Sequence, residues 1–222
     1  MALIMTGDFT FKVDYDKQTA ILTHYDGNDV KIGIPEKVND CIVISIAQDV
    51  FKDNQMIRKV FLPDTIQYIG ARAFMNSTIE SLWIEHFGNH TANKCQIYHS
   101  AFMNCKCLEQ VHLPVNTVFS DWNIFANCEY LRNIEFDNVV GNIPKYTFLN
   151  CRSLKKIWIG KPISIKEKAF FGCYLQEVIE TESAVTYADD FYDAIKYATI
   201  RCKPQSHLSS MVYHGNKVVF MK

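Results

Sequence analysis

Hydrophobic and polar residues recur along this chain in one fixed order, about every two dozen residues. Each unit carries a phenylalanine, then a small polar residue or a cysteine three positions later, then the run aliphatic-x-x-aliphatic-x-aliphatic, whose last position is Phe136 in one unit and Glu180 in the last. An aliphatic residue also stands five positions before most of the phenylalanines, and Ser120 takes that place in one unit. Agreement at several phased positions indicates an internal repeat. The recurrent phenylalanines are Phe51, Phe74, Phe102, Phe125, Phe148 and Phe170, with Phe191 as a weaker seventh.

The end of each run predicts one short strand. Its last two aliphatic positions are separated by a single residue, which is typical of a strand with one buried face. A period of about 20–29 residues with one strand per unit is typical of leucine-rich repeats. Pro63 and Pro114 directly follow two of these strands and end them, because proline lacks the N–H that a sheet requires.

These units have to stack, because one unit alone cannot bury its apolar side. Stacking places the strands in one parallel sheet with a spacing of about 4.8 Å, and the Ala-Phe segments form the opposite wall with each phenylalanine pointing inward. The predicted fold class is an α/β-type repeat solenoid. It is a right-handed leucine-rich-repeat stack with a parallel sheet, short strands, few helices and a cap at each end.

The two ends of the chain depart from the repeat, and the open ends of a solenoid need caps. We predict one structural domain with three parts. Residues 1–35 form an N-terminal capping hairpin and first strand, residues 36–186 form six repeats of about 23 residues, and residues 187–222 form a degenerate last repeat and C-terminal cap. Within this last part, residues 197–202 predict a strand and the segment after Pro204 predicts a short helix.

The segment IQYIGARAFMNSTIESLWI, residues 66–84, resembles the BspA-like leucine-rich repeats. Residues 19–51 are similar to the opening segment of the same family, whereas the expanded unit before Phe102 and residues 116–125 depart from its pattern. The resemblance implies a surface or secreted protein that acts in adhesion by binding host or matrix proteins, and it implies no catalytic residue. The matching positions are Ile66, Ile69, Gly70, Ala73 and Phe74, with Pro63 and Pro114 at the terminal proline.

One face of the predicted sheet carries aromatic residues where solvent favours polar ones. The residue between the last two aliphatic positions of each strand points away from the core. The resulting strip is roughly 24 Å long, and a contiguous apolar patch with a polar border is often an interaction site. We interpret it as a site for another protein from a host, a matrix or a cell surface. Two alternatives stay open: the rings bind a glycan, or they only cover the sheet and pack against the caps. The strip consists of Phe61, Trp83, His112, Glu135, Trp158 and Ile179, and the preceding outward positions are Lys59, Ser81, Gln110, Asn133, Lys156 and Glu177.

Four of the eight cysteines share one phase of the repeat, namely Cys105, Cys128, Cys151 and Cys173. Stacked units point these side chains in parallel rather than at one another, which disfavours disulfide bonds between neighbours. We interpret the four as buried free thiols that act as small apolar groups and donate to backbone carbonyls.

The expanded unit, EHFGNHTANKCQIYHS at residues 85–100, groups His86, His90, Cys95 and His99. Imidazole and thiolate are ligands that zinc accepts, so these four residues are the candidates for a metal site. A polar surface loop between two coils is the simpler interpretation. We therefore predict neither a metal nor a cofactor.

Composition narrows the functional classes. The chain has 222 residues, 48% of them hydrophobic and 21% charged, with a formal net charge of −1. This balance fits a folded protein and gives no field that would attract nucleic acid. No apolar run reaches the roughly 18 residues that span a bilayer. The start of the chain shows no signal peptide, so a cytoplasmic location is the alternative to the surface location that the resemblance implies.

Motifs for phosphate-binding loops, dinucleotide-binding folds, zinc proteases and serine hydrolases are absent from the sequence. The acidic residues Glu180, Glu182, Asp189 and Asp190 lie where the repeat degenerates, and we interpret them as a solvated turn. We expect a protein that is not an enzyme.

Overall fold

The computed structural model describes residues 1–85, 94–114, 116–135, 139–181, 185–210 and 216–221. The helical elements of these residues are α1 (Phe191–Ala194) and a 3₁₀ helix (His207–Ser210). The chain is a β-solenoid of about eight turns with almost no helix, as the repeat predicts. In chain order the strands are β1 (Ala2–Thr6), β2 (Phe9–Asp14), β3 (Thr19–Tyr25), β4 (Lys31–Gly33), β5 (Lys37–Val38), β6 (Cys41–Ile46), β7 (Lys59–Pro63), β8 (Tyr68–Ile69), β9 (Ser81–Glu85), β10 (Gln96–Ile97), β11 (Gln110–Val111), β12 (Val118–Phe119), β13 (Asn133–Glu135), β14 (Gly141–Ile143), β15 (Lys156–Ile159), β16 (Ile163–Ile165), β17 (Glu177–Glu180), β18 (Thr186–Tyr187), β19 (Thr199–Cys202) and β20 (Lys217–Phe220).

Within the described part of the chain, nine strands form one sheet, which we call the repeat sheet. Its order is β4, β7, β9, β11, β13, β15, β17, β19, β20, and all neighbours are parallel. Equivalent residues of successive units pair directly, as Val60 does with Leu82 and Ile157 with Val178. These four side chains are fully buried, because alternate positions of a strand point to the same side. The predicted parallel stack is confirmed.

A second line of short strands was not predicted. An eight-stranded second sheet runs β1, β2, β3, β6, β8, β10, β12, with β5 paired to β6, and a three-stranded third sheet runs β14, β16, β18. The aliphatic position before the phenylalanine lies here, and Ile46, Ile69 and Ile97 pair in register and are fully buried. The placement of Ser120 in this column is wrong, since Phe119 pairs with Ile97 and is buried while Ser120 is exposed. That unit has one extra residue before its phenylalanine, which the fixed spacing concealed.

The recurrent phenylalanines form one buried column through the core. Neighbouring ring centroids are 4.9 to 5.5 Å apart with interplanar angles of 4° to 20°, from Phe51 to Phe170. Phe191 closes the column with an edge contact to Phe170 at 5.5 Å. The wall itself is held by backbone hydrogen bonds between coils, such as Phe74 N–H to the Ala101 carbonyl at 2.8 Å. This confirms that each phenylalanine points inward.

Two residues after each phenylalanine, the backbone turns through a left-handed conformation. Asp53, Asn76, Asn104, Asn127 and Asn150 have φ between 57° and 61° there, a region that asparagine tolerates better than most residues. Each asparagine donates its side-chain N–H to the side-chain oxygen of the preceding turn, at 2.7 to 2.9 Å. We call these five residues the asparagine column. These residues accommodate the left-handed turn, and their side-chain hydrogen bonds connect five successive coils.

The next residue in this position is Gly172, with φ at +77°. A Cβ atom there would clash with the side-chain oxygen of Asn150. The asparagine column therefore ends at a position where the backbone conformation and the neighbouring amide both favour glycine.

The four phased cysteines form a second column, as predicted. Each thiol donates to the phenylalanine carbonyl of the preceding unit at 3.0 to 3.1 Å, from Cys105 to the Phe74 carbonyl through Cys173 to the Phe148 carbonyl. Burial raises the pKa of Cys105 and of Cys173 to about 12. All eight cysteines of the chain are free, and of these Cys107 is exposed.

At the N-terminal end, β1, β2 and β3 form an antiparallel meander, and β3 then pairs parallel to β6. Strands β2 and β3 lie where the sequence predicts a hairpin, but β1 was not predicted. At the C-terminal end, β19 occupies the predicted strand, the 3₁₀ helix follows Pro204, and β20 is a further strand that the sequence did not indicate. The division into two caps and a repeat region stays a prediction.

Glu180 contradicts the interpretation of its segment as a solvated turn. It is fully buried at an inward position of β17, paired between Ile159 and Cys202. The Tyr187 hydroxyl donates to its carboxylate at 2.9 Å. Burial, followed by the neighbouring Glu180 charge, raises the pKa of Tyr187 well above its usual value. The register of the sheet thus places a carboxylate where the repeat elsewhere has an aliphatic side chain. Of the other three acidic residues, Glu182 lies outside the described residues.

Candidate functional site

The outward positions of the repeat sheet line up across successive strands. Gly33, Phe61 and Trp83 pair in one row, and the backbone of Glu135 continues that row to Trp158 and Ile179. His112 joins it because the preceding residue, Val111, pairs with Leu82. The five predicted residues whose side chains the structure describes form the surface that we call the aromatic face: Phe61, Trp83, His112, Trp158 and Ile179. The side chain of Glu135, the sixth predicted residue, lies outside the described part of the chain.

The rings of the aromatic face differ in their surroundings. The indole of Trp83 stacks on the imidazole of His112, with centroids 4.1 Å apart and planes at 19°. The ammonium of Lys31 lies 4.7 Å from the centroid of the Phe61 ring, within the range of a cation–π contact. Trp158 keeps 45% of its surface exposed. The face therefore offers one preorganised stacked pair and one open tryptophan.

A shallow concavity of about 560 Å³ lies between Trp83 and Trp158. Strands β11 and β13 separate the strands of the two tryptophans. The backbone positions of the two tryptophans are thus three strand spacings apart, about 14 Å. Polar side chains of the preceding outward positions, Gln110, Asn133 and Lys156, line the concavity together with His112. This arrangement combines two flat apolar surfaces with amide and ammonium groups that can donate hydrogen bonds.

Charged side chains border the face on its C-terminal side. Glu177 accepts from Lys156 at 3.0 Å and from Arg201 at 2.7 Å. The hydrogen bond from Arg201, followed by that from Lys156, lowers the pKa of the Glu177 carboxyl. Exposed ion pairs of this kind contribute little to stability, so their main effect is to fix the direction of the Lys156 side chain beside the concavity. Arg201 was missed because the sequence pattern was followed only as far as Ile179.

The metal candidates are only partly described, because His86 and His90 lie outside the described residues. Cys95 is fully buried in the core, and that burial raises its pKa to about 12, which disfavours the thiolate that binds zinc. His99 lies on the wall that the Ala-Phe segments form, with its ring 6.4 Å from that of Trp122. The metal site stays an untested alternative.

A second concavity, of about 540 Å³, lies along the asparagine column. It is lined by Asn76, Asn104 and Asn127 together with the charged side chains of Lys106 and Glu129. The sequence signal is the small polar residue two positions after each phenylalanine. The amides there are already engaged with one another, so this surface is explained by the turns that it stabilises.

Comparison with known proteins agrees with this architecture. The model of the BspA type leucine rich repeat region matches residues 31–96 and 89–197, with six copies. This chain belongs to the BspA-type leucine-rich repeat family. Leucine-rich repeat proteins are generally protein-interaction modules and typically have no enzymatic activity. No curated protein shows significant sequence similarity to the chain.

Two solved structures have the same fold. A leucine-rich cell surface protein from Faecalibacterium prausnitzii A2-165 is 25% identical with a TM-score of 0.74, and the match covers 93% of this chain. The chain spans only 55% of the length of that protein. A leucine-rich repeat protein from T. pallidum is 20% identical with a TM-score of 0.66, over 83% of this chain and 85% of the other. In the described residues, no helix has the length and apolar character needed to cross a membrane.

Proposed function

We propose that this chain is a non-catalytic module that binds another protein through the aromatic face, in adhesion to a host, a matrix or another cell surface. The observation that carries the proposal is the row of outward aromatic side chains in register across the repeat sheet. Tryptophan is enriched among the residues that dominate binding energy, and an apolar patch with a polar border is typical of an interaction site.

The structure also separates this face from the residues that hold the fold together. Trp83 and Trp158 occupy outward positions of the repeat sheet, away from the phenylalanine column, and 45% of the Trp158 surface is exposed. Replacement of both by alanine should therefore leave the core intact while it removes the two flat surfaces of the site. Truncation of a residue that is central to binding typically costs at least about 2 kcal/mol of binding free energy, which corresponds to about thirtyfold in affinity.

The experiment compares two double variants by biolayer interferometry against a panel of purified matrix and cell-surface proteins. The test variant is Trp83→Ala/Trp158→Ala. The control is Tyr130→Ala/Tyr174→Ala, which removes two exposed aromatic side chains outside the strands of the repeat sheet. We expect the tryptophan variant to lose at least about thirtyfold in affinity, and the tyrosine variant to bind as the wild type does. Equal binding by a folded tryptophan variant would reject the aromatic face as the site.

A glycan is the second candidate ligand, and the concavity between the tryptophans favours it. Two indoles on strands about 14 Å apart, with Gln110 and Asn133 between them, offer ring stacking and amide hydrogen bonds to an oligosaccharide. A glycan array distinguishes the two candidates. If the chain binds defined oligosaccharides and loses that binding without both tryptophans, the ligand is a carbohydrate rather than a protein.

We infer a cell-surface or secreted location for the working protein. The support is the family together with the similarity to the F. prausnitzii cell surface protein. Brief proteolysis of intact cells tests it, because a surface protein is degraded while an enzyme of the cytoplasm in the same cells stays whole. Survival of the chain under those conditions would favour the cytoplasm.

A further inference from the structure

Among the described residues, strand β1 is the last strand of the second sheet. It pairs antiparallel with β2, with Leu3 opposite Lys12 and Met5 opposite Thr10. The sheet order ends at β1, so no strand of the described residues pairs with its other side. An edge of this kind presents unpaired backbone N–H and carbonyl groups to whatever chain can reach it.

Natural edges are usually protected by charged residues, by proline or by a bulge. Strand β1 has none of these over its five residues, ALIMT, and its register with β2 is regular. Leu3 and Met5 are 71% and 72% exposed on one face, whereas Ile4 packs against the core on the other. The edge is therefore flat, apolar and unguarded.

We propose that a second copy of this chain pairs with that edge, β1 against β1, to form an antiparallel two-fold dimer. Full overlap of the two strands centres the axis on Ile4. Leu3 of one copy then lies opposite Met5 of the other, and Ala2 lies opposite Thr6. Each cross-strand pair on the exposed face is apolar, and such pairs stabilise an antiparallel sheet.

The charges around β1 favour a copy of the same chain as the occupant. A two-fold contact sets one strand against its own copy, so an edge strand with charges of a single sign would repel itself, and β1 carries no charged side chain. The charged side chain opposite β1 on that face is Lys12, one strand away on β2 and paired with Leu3. In the dimer two β1 strands separate the two copies of Lys12. The contact is also closed, because each copy uses its single β1 edge.

This dimer does not rest on the proposed function. Strand β1 belongs to the second sheet and the aromatic face to the repeat sheet, so pairing uses none of the binding residues. It would place two aromatic faces in one particle and raise the apparent affinity for a surface with repeated sites. Two short strands bury little area, so the dimer should be weak and should depend on protein concentration.

Sedimentation velocity over a concentration series tests the proposal, with three variants of the full chain. Leu3→Lys/Met5→Lys places like charges opposite each other and should raise the dissociation constant at least about tenfold. Leu3→Lys/Met5→Glu places opposite charges across the same two-fold contact and should restore the dimer. Val30→Lys/Met56→Lys adds the same charge at two exposed apolar residues outside β1 and should leave the dimer unchanged.

Thermal unfolding of each variant shows that it is folded. A wild-type chain that stays monomeric at all concentrations would overturn the proposal and leave the edge to a strand of another protein. A dimer that persists with two lysines, or that the opposite-charge variant fails to restore, would place the contact elsewhere.

Discussion

Replacement of Asn127 separates the two roles of the asparagine column. Asn127 has φ at +61°, donates to Asn104 at 2.8 Å and accepts from Asn150 at 2.9 Å. Asn127→Ala removes both side-chain hydrogen bonds and leaves a Cβ in a left-handed turn. Asn127→Gly removes the same two bonds but relieves the strain of that turn, because glycine adopts positive φ freely.

The magnitudes follow from these contacts. Two lost hydrogen bonds are worth about 0.5–1.5 kcal/mol each. A residue other than glycine or asparagine in the left-handed region costs roughly 1–2 kcal/mol. We therefore expect Asn127→Ala to lower the free energy of unfolding by about 2–5 kcal/mol, and Asn127→Gly to lower it by about 1–2 kcal/mol less.

Equilibrium unfolding in urea measures both variants. Asn142→Ala is the matched control, since Asn142 is exposed, lies in β14 and is not among the residues with positive φ. It should change the free energy of unfolding by less than about 0.5 kcal/mol. If Asn127→Ala and Asn127→Gly lower the free energy of unfolding equally, the left-handed turn does not penalise alanine and that part of the reasoning is wrong. Losses no larger than that of the control would refute the hydrogen-bonded column itself.

Two further predictions concern the turns and the thiols. Gly172→Ala should lower the free energy of unfolding by about 1–3 kcal/mol, because its φ is +77° and the new Cβ would meet Asn150, whereas Gly33→Ala, where nothing lies within 4 Å, should be near neutral in the same assay. The folded pKa of Cys105 and of Cys173 is raised by burial from 9.0 to about 12. The folded state therefore holds these protons more tightly than the unfolded state, and stability that is complete below pH 9 is lost as the pH rises towards 12. A urea midpoint that stays constant between pH 9 and 12 would contradict this pH dependence. Rapid labelling of any thiol other than Cys107 in the native protein would contradict the burial of the cysteines.

The repeating part of the fold could be predicted because each unit buries the same kinds of side chain at the same positions. The aliphatic alternation of residues 59–63 sets which side of β7 is buried, and five further units repeat it in register. The position of Trp83 and Trp158 on one face follows directly from that alternation. The column of buried thiols follows from the shared repeat phase of its four cysteines.

The remainder depends on information that periodicity does not contain. The two-residue strands such as β8 and β10 are too short to leave an alternating pattern, and their pairing comes from the stack. Ser120 was misplaced because a single extra residue shifts a fixed spacing. Strands β1 and β20 lie outside the repeat, so no other copy indicates them. Glu180 was misread because a charged residue usually marks the surface, whereas here the register of β17 overrides that preference.

The most direct test of the account uses the three tryptophans of the chain, Trp83, Trp122 and Trp158. With 5-fluorotryptophan incorporated, each ring gives one fluorine resonance, and single Trp→Phe variants assign them. Trp122 is exposed but lies outside the repeat sheet, so it serves as an internal control. On titration with a bound partner or glycan, we expect the resonances of Trp83 and Trp158 to shift together at one saturation point while that of Trp122 stays in place. A shift of Trp122 alone, or saturable binding with Trp83 and Trp158 unmoved, would contradict the claim that the aromatic face is the binding site.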